Sequence, residues 1–454
     1  MTELGEDHSR MMKLGFFLYG TGHHIASWRD PGVMPNANQS LKHYVNITQT
    51  AERGLFDFVF NADSNSTFGP DDPDIWKRTT VSMRLEPLTL LGALAAVTSR
   101  IGLISTATTT YLDPFHVARM FATLDQLSDG RTGWNVVTSS AASEALNFSH
   151  QAHAPHDQRY ERAAEFIEVA QGLWDTWEDD AHPLDKTKGL FFEPAKLHML
   201  NHKGKHFSVR GPLMVPRSPQ GQPVIVQAGQ SEAGLELAAR TAEVLFTVSQ
   251  NLATSKTFYA DLKARVAKCG RSPDSIKVMP GVLTVWGRTK DEAQEKFDRL
   301  QALIHPELGV AMLSDIVGLD LSKYPLDGPV PEVPLTNTQQ GRQKVVMDMA
   351  RAENMTIRQL YIRVATARGH RVVLGTASDI ADALEEWYRG GAADGFNIMP
   401  QTLPEELNAF VEHVIPELQR RGLFRMRYEG TTLRENLGLP RPVNRFAATS
   451  AAAE

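Results

Sequence analysis

The chain reads as an α/β barrel of eight parallel strands, each followed by a helix, and three observations predict it. Ile101–Ser140 runs strand, polar loop, helix, tight turn, strand, leaving no room for the chain to double back, so the two strands are parallel. The same alternation recurs along all 454 residues, with eight apolar strand-length runs separated by helix-length ones. No G-x-G-x-x-G follows any of those runs, which argues against the alternative of an open doubly wound sheet. The first and second strands of the Ile101–Ser140 unit end in hydroxyl-rich segments, Ser105–Thr110 and Thr138–Ser140, on one rim. That rim is where barrels carry their chemistry.

In chain order, Lys13–Leu18 is the first strand and opens into the loop Tyr19–Pro31, which holds His23, His24 and Arg29. A helix over Leu41–Arg53 stops at Gly54, and Phe56–Phe60 is the second strand. The connection Asn65–Arg84 is long for a βα loop, hence functional or mobile. Pro87–Thr98 is helical and Ile101–Ile104 is the third strand. Asp113 caps a helix with Pro114 at its first position, and Val117, Met120, Phe121, Leu124 and Leu127 form its apolar stripe. Gly133–Val137 is the fourth strand. After about twenty residues without periodicity, a helix runs from near Asp157 to about Trp177. Pro223–Gln227, Val244–Val248, Lys277–Trp286 and Gly395–Met399 are strands five to eight. Helices over Ser231–Arg240, Lys256–Cys269, Asp291–Leu303, Thr376–Arg389 and Pro404–Arg421 cover them. The whole chain, 1–454, is expected to be one barrel domain with insertions at about 178–222 and 305–375. The larger lies between strands seven and eight and is proline-rich, then mostly helical. The tail, about 446–454, is expected to be disordered.

With 42% hydrophobic and 22% charged residues, the composition is that of a globular protein. A formal net charge of −6 gives no basic face for nucleic acid or membrane. Cys269 is the single cysteine, which excludes an internal disulfide and a cysteine-based metal site. The polar, acidic start MTELGEDHSRMM is unlike a signal peptide, and no apolar run spans a bilayer, so the expected location is the cytoplasm.

Several residues stand where chemistry would be done. Asp63 ends the second strand, as a turn residue or as a carboxylate facing the mouth. Thr106 and Ser139 belong to the two hydroxyl-rich strand ends. Asn135 interrupts an apolar strand, and a buried amide must find partners, either on a neighbouring strand or on a planar polar ligand. In QAGQS (227–231), Gly229 and Ser231 lead into a helix whose first N–H groups make an anion site, unless Ser231 is only a cap. Barrel phosphate sites more often follow strands seven and eight, and this one follows the fifth. His150, His153 and His156 have metal-like spacing, but Pro155 breaks a helix there and no metal motif accompanies them; no metal site is expected. His156 and Tyr160 are one turn apart and can share a face. His23 and His24, on the first rim loop, are candidate catalytic groups or merely solvated. Arg29 and Arg84 offer forks to a carboxylate.

AERGLFDFVFNADS, TATTTYLDPFHVARMFATLDQLSDGRTGWNVVTS, HDQRYERAAEFIEV, PVIVQAGQSEAGLELAARTAEVLF and GAADGFNIMP, in that order, carry a resemblance covering nearly the whole chain. They are similar to the bacterial-luciferase-like flavin monooxygenases, in the branch of nitrilotriacetate monooxygenase component A and dibenzothiophene-sulfone monooxygenase, the likeness being greatest to the nitrilotriacetate member. The resemblance implies a (β/α)8 TIM barrel of the luciferase-like type that binds FMN non-covalently at the C-terminal rim. It implies flavin contacts at Asp63, Thr106, His156, Tyr160 and Ser231, with Asn135, Ser139 and Gly229 in matching segments. It further implies reduced FMN (FMNH2) delivered by a separate NAD(P)H:FMN reductase, O2 as co-substrate, and a homodimer or homotetramer. The small organic substrate would be an aminopolycarboxylate such as nitrilotriacetate, or a sulfur-containing xenobiotic. The alkane-oxidising relative has a cysteine in the first loop and a histidine where Ser140 stands here, so alkane oxidation is not expected. The alternatives are a deazaflavin-dependent oxidoreductase on the same barrel and a metal-dependent barrel hydrolase.

Overall fold

The computed structural model describes residues 11–67, 73–80, 83–335, 337 and 340–450. Its strands are β1 (Lys13–Phe17), β2 (Phe58–Asn61), β3 (Gly102–Thr108), β4 (Thr132–Val137), β5 (His202–Lys203), β6 (Ser208–Val209), β7 (Val224–Gln227), β8 (Val244–Thr247), β9 (Lys277–Trp286), β10 (Arg371–Gly375) and β11 (Gly395–Ile398). Eight of them close a parallel ring in the order β1-β2-β3-β4-β7-β8-β9-β11, with β11 pairing back to β1. These are the eight expected strands. Alternate residues face inward, so Phe17, Phe58, Phe60, Ile104, Val224, Val226, Val244, Phe246, Met279 and Leu283 fill the cylinder.

The helices are α1 (Leu41–Arg53), α2 (Pro73–Trp76), α3 (Pro87–Ala95), α4 (Pro114–Leu127), α5 (Glu144–Asn147), α6 (His156–Trp174), α7 (Glu232–Thr241), α8 (Leu252–Lys268), α9 (Lys290–Gln301), α10 (Pro306–Val317), α11 (Gln340–Ala352), α12 (Ile357–Ala367) and α13 (Ala377–Arg389). Asp113 caps α4 through the Phe115 N–H at 3.0 Å, as its sequence predicts. Helix α8 starts four residues earlier than expected because Asn251 accepts from the Ala253 and Thr254 N–H groups and caps it there. The expected terminal helix spans Glu405–Arg420 and relaxes into a π turn at Phe410–Val414, just ahead of Pro416, whose ring cannot sit in a regular helical turn.

Three departures from the sequence reading concern the insertions and the tail. The 178–222 segment holds the β5–β6 hairpin. The 305–375 segment ends in a strand, β10, which pairs in parallel with the second half of β9 over Val282–Trp286. Strand β9 is ten residues long, while β11 pairs only with Gly281 and Val282, so the rest of its edge needs another partner. Arg445–Ser450, which overlaps the tail expected to be disordered from about 446, is a short helix in which the Phe446 and Ala447 N–H groups bond the Asn444 side chain. Residues 451–454 of that tail, and residues 68–72 and 81–82 of the long second loop, lie outside the described residues.

The bottom of the barrel is stoppered by the chain that follows residue 423. Leu433, Leu437 and Leu439 join the interior core, and Leu433 occupies the space left by Gly102, where a Cβ would come within 2.5 Å of it. Arg425 forms a buried ion pair with Asp57, whose other oxygen accepts from the Leu14 N–H at 2.7 Å. At the top, α10, α11 and α12 pack around Leu313, Val346, Leu360 and Val364 with Ile25 of the first rim loop. This second core makes the larger insertion a cap over the mouth.

Candidate active site

The C-terminal ends of the strands and the underside of the cap enclose a cavity of about 1390 Å³. One drug-sized ligand needs roughly 300–1,000 Å³, so the space accommodates a cofactor and a substrate together. Its floor is aromatic: Phe60 and Phe246 stand 5.3 Å apart, and Phe17 lies 5.3 Å from Phe60.

One end is built on the β7–α7 turn. Ser231 caps α7, accepting from the Gly234 N–H at 3.3 Å, and itself lines the cavity, so the N-terminus of the helix lies at the wall. Gly229 leaves the approach clear, since a Cβ there would stand 2.9 Å from the Tyr160 hydroxyl. His156 and Tyr160 meet on one face of α6, their ring centroids 4.7 Å apart. The His156 N–H donates to the side chain of Asn337, which ties the cap to this end.

In the middle, Asn135 takes the first of the two roles left open by sequence and links neighbouring strands. Its Nδ2 donates to Thr106 Oγ1 at 2.8 Å, and Thr106 in turn donates to the Asn61 carbonyl. Asn135 Oδ1 is buried, has no partner and belongs to the cavity wall. Ser139, in the left-handed region at φ 53°, donates to Glu144 at 2.8 Å. Asp63 lines the same wall, 4.0 Å from Arg84; burial raises its pKa to about 6 against the pull of that guanidinium.

The other end gathers residues from the first rim loop and the cap. Tyr19 has the Arg368 guanidinium 4.8 Å and that of Arg84 5.9 Å from its ring centre. Burial alone would raise the pKa of its phenol, yet Arg368, Arg84 and Arg342 together bring it below the ordinary value. His23 packs against Phe17 and His370, and burial, reinforced by Arg368, keeps it neutral.

Of the residues singled out by sequence, His23, Asp63, Asn135, Ser139, His156, Tyr160, Gly229 and Ser231 line this one cavity. Thr106 and His24 stand one layer back. His24 accepts from the Ala26 N–H, and burial lowers its pKa to about 3. Arg84 lines the wall, but Arg29 turns away to the Leu303 carbonyl. His153 bonds Tyr111, and among the described residues no three His, Cys, Asp or Glu side chains form a metal cage. Sequence reasoning missed Tyr19, Asp315, Arg342, Arg368 and His370. Tyr19 was discoverable, two residues beyond the first strand; the others sit in the insertion, where only the folded cap brings them to the rim.

A closed β/α barrel with its polar groups at one rim, under a cap, defines a barrel enzyme that encloses its ligands. The pattern of the luciferase-like monooxygenase family matches residues 20–394, and the chain belongs to that family. It is 52% identical to N-acetyl-S-(2-succino)cysteine monooxygenase of Bacillus subtilis, over 96% of this chain and 99% of that one. It is 50% identical to nitrilotriacetate monooxygenase component A of Aminobacter aminovorans, over 97% and 99%. The crystal structure of riboflavin lyase with a modified FMN and riboflavin superimposes with a TM-score of 0.87 at 34% identity, covering 96% of this chain and 97% of that one. The chain is thus nearly equally similar to enzymes named for different substrates. Among the described residues no single helix is long and apolar enough to cross a membrane.

Proposed function

We propose that the protein is the oxygenase component of a two-component monooxygenase: it holds reduced FMN non-covalently, receives it from a separate NAD(P)H:FMN reductase, and oxidises a small polycarboxylate with O2. The observation that carries this reading is one cavity with an anion cradle at Gly229, Ser231 and Tyr160, an unpartnered acceptor at Asn135 Oδ1, and volume left for a second ligand. A phosphate fits the N–H groups opening α7, helped by the Ser231 and Tyr160 hydroxyls. A ring N–H fits Asn135 Oδ1 and Asp63, and the isoalloxazine would lie over the Phe60–Phe246 floor. Nitrilotriacetate and N-acetyl-S-(2-succino)cysteine each carry three carboxyl groups, so an aminopolycarboxylate or a sulfur-containing polycarboxylate is the substrate class.

When bound, reduced FMN supplies the activation of O2. This chain's residues position it, exclude water under the cap and hold protons nearby. Neutral His23 can donate a ring N–H hydrogen bond to substrate, and the Tyr19 phenol is a second donor on the same wall.

The test is oxygen uptake by the purified protein with NADH, FMN and an added FMN reductase, run against a panel of aminopolycarboxylates and thioether carboxylates. Substrate-dependent uptake with an oxygenated product is expected. Failure to bind FMN in either redox state, or turnover with a deazaflavin in its place, would overturn the reading.

A further inference from the structure

Two arginines in the cavity wall have no anion of their own. Arg342 opens α11, and Arg368 follows the last turn of α12, so both come from the cap. Among the described residues neither guanidinium meets a carboxylate at ion-pair distance, and Arg342 Nε is buried without a partner. Arg368 touches the Tyr19 ring and the nitrogens of His23 at 3.5 Å, and the charges nearest it, Arg84 and Arg342, are of its own sign. Asp315, the carboxyl that Arg342 senses, is pushed by burial toward its neutral form. Other acidic groups of the wall are engaged elsewhere: Glu144 accepts from Ser139 and Asn65, Asp74 pairs with Lys77, and Asp320 caps its own turn. Burial and the neighbouring Arg368 charge lower the pKa of Arg342 to about 10. Two uncompensated cations held together inside a protein are costly, and an anion between them relieves that cost.

The backbone bears on the same point. Arg368 sits at φ 50°, ψ 36°, in the left-handed conformation that closes α12, a position normally given to glycine or asparagine. Gly369 lies directly after it. The left-handed Arg368 has its side chain in the cavity wall.

We propose that Arg342 and Arg368, with Arg84 beside Asp63, form the substrate's anion subsite and select for a molecule bearing at least two carboxylates. This rests on the monooxygenase reading for the second ligand in the cavity. The rival occupant is the cofactor's own phosphate, and the experiment separates the two.

Calorimetric titrations would use FMN-loaded protein with acetate, succinate, propane-1,2,3-tricarboxylate and its trimethyl ester as probes, alongside FMN and riboflavin titrations of the unloaded protein. The tricarboxylate is expected to bind best, succinate more weakly, and acetate and the ester not at millimolar concentration. Arg342→Gln should weaken tricarboxylate binding by roughly tenfold to a hundredfold, the range for a lost charged hydrogen bond, and leave FMN affinity within about twofold. Arg368→Gly should weaken it similarly while raising the thermal midpoint, because it relieves the left-handed strain; a purely structural arginine would lower that midpoint. Equal binding of acid and ester, no binding of either polycarboxylate, or a selective loss of FMN over riboflavin in the variants would each overturn the proposal. FMN binding that persists with no polycarboxylate site sinks this inference alone, whereas loss of FMN binding by the parent protein sinks the monooxygenase reading beneath it.

Discussion

Asp63 is the residue at which the demands of folding and of ligand binding pull apart. Its pKa rises from the model-compound value of 3.8 to about 6 because burial penalises the carboxylate more than Arg84, 4.0 Å away, rewards it. A carboxyl raised on folding contributes stability that is fully present below its unfolded pKa and is lost as pH climbs through its folded pKa. Hence Asp63→Asn should leave apo-protein stability nearly unchanged at pH 3, below the unfolded pKa, and increase it by about 1–2 kcal/mol at pH 8. Urea unfolding at the two pH values checks this, and a gap independent of pH would contradict it. Asp63, Asn135 and Ser231 stood out in the sequence because each breaks a local rule, Asp63 and Ser231 as polar groups just past an apolar run and Asn135 as an amide inside one. Arg342 and Arg368 did not, because an arginine on a helix of a long insertion looks like any solvated charge until the cap folds over the mouth. Arg29 misled for the converse reason: its loop reaches the rim, but its guanidinium leaves to bond the Leu303 carbonyl.

At the scale of elements, eight strands could be read directly because strands buried on both faces are short continuous apolar runs, and β/α alternation fixes their direction. Strand β10 could not. Arg371–Gly375 is an equally apolar run, but its role depends on β9 overshooting its neighbours, which is a property of the ring and not of either segment. The β7–α7 junction offers the sharpest element-level test. Ser231 both caps α7 and borders the anion cradle, so Ser231→Ala should cost about 1 kcal/mol of stability, as a lost cap does. A cap alone would weaken FMN and riboflavin equally. If the helix end also grips phosphate, the preference for FMN over riboflavin should shrink by about tenfold. Paired flavin titrations by fluorescence quenching distinguish these outcomes.

The whole molecule is organised as a ring closed at one end and covered at the other, and the two closures differ in kind. Below, Leu433 is continuous with the barrel interior and seated against Gly102, so Leu433→Ala should cost about 2–5 kcal/mol in chemical unfolding, the range for a buried leucine. That loss should leave flavin affinity unchanged while the protein remains folded, since the stopper and the cavity occupy opposite ends of the cylinder.

Above, α10, α11 and α12 pack chiefly on one another, through Leu313, Val346, Leu360 and Val364. Their ties to the rest of the molecule are mostly polar: the Ile25 N–H on the Ala365 carbonyl, the His156 N–H and Arg159 on Asn337, Gln301 with Thr366, and Arg368 beside His23. A layer with a core of its own, tied to its neighbours mainly by polar contacts, is expected to open as a unit at a free energy below that of global unfolding. Leu313→Ala should therefore raise amide exchange across α10–α12 while β1–β4 exchange as in the parent protein. If the cap is what keeps water from the flavin, the same substitution should speed hydrogen peroxide release from the protein loaded with reduced FMN in air, with no substrate present. Exchange that rises uniformly over barrel and cap would mean that the two unfold together and that the cap has no motion of its own. Faster exchange without faster peroxide release would assign the exclusion of water to the barrel wall instead.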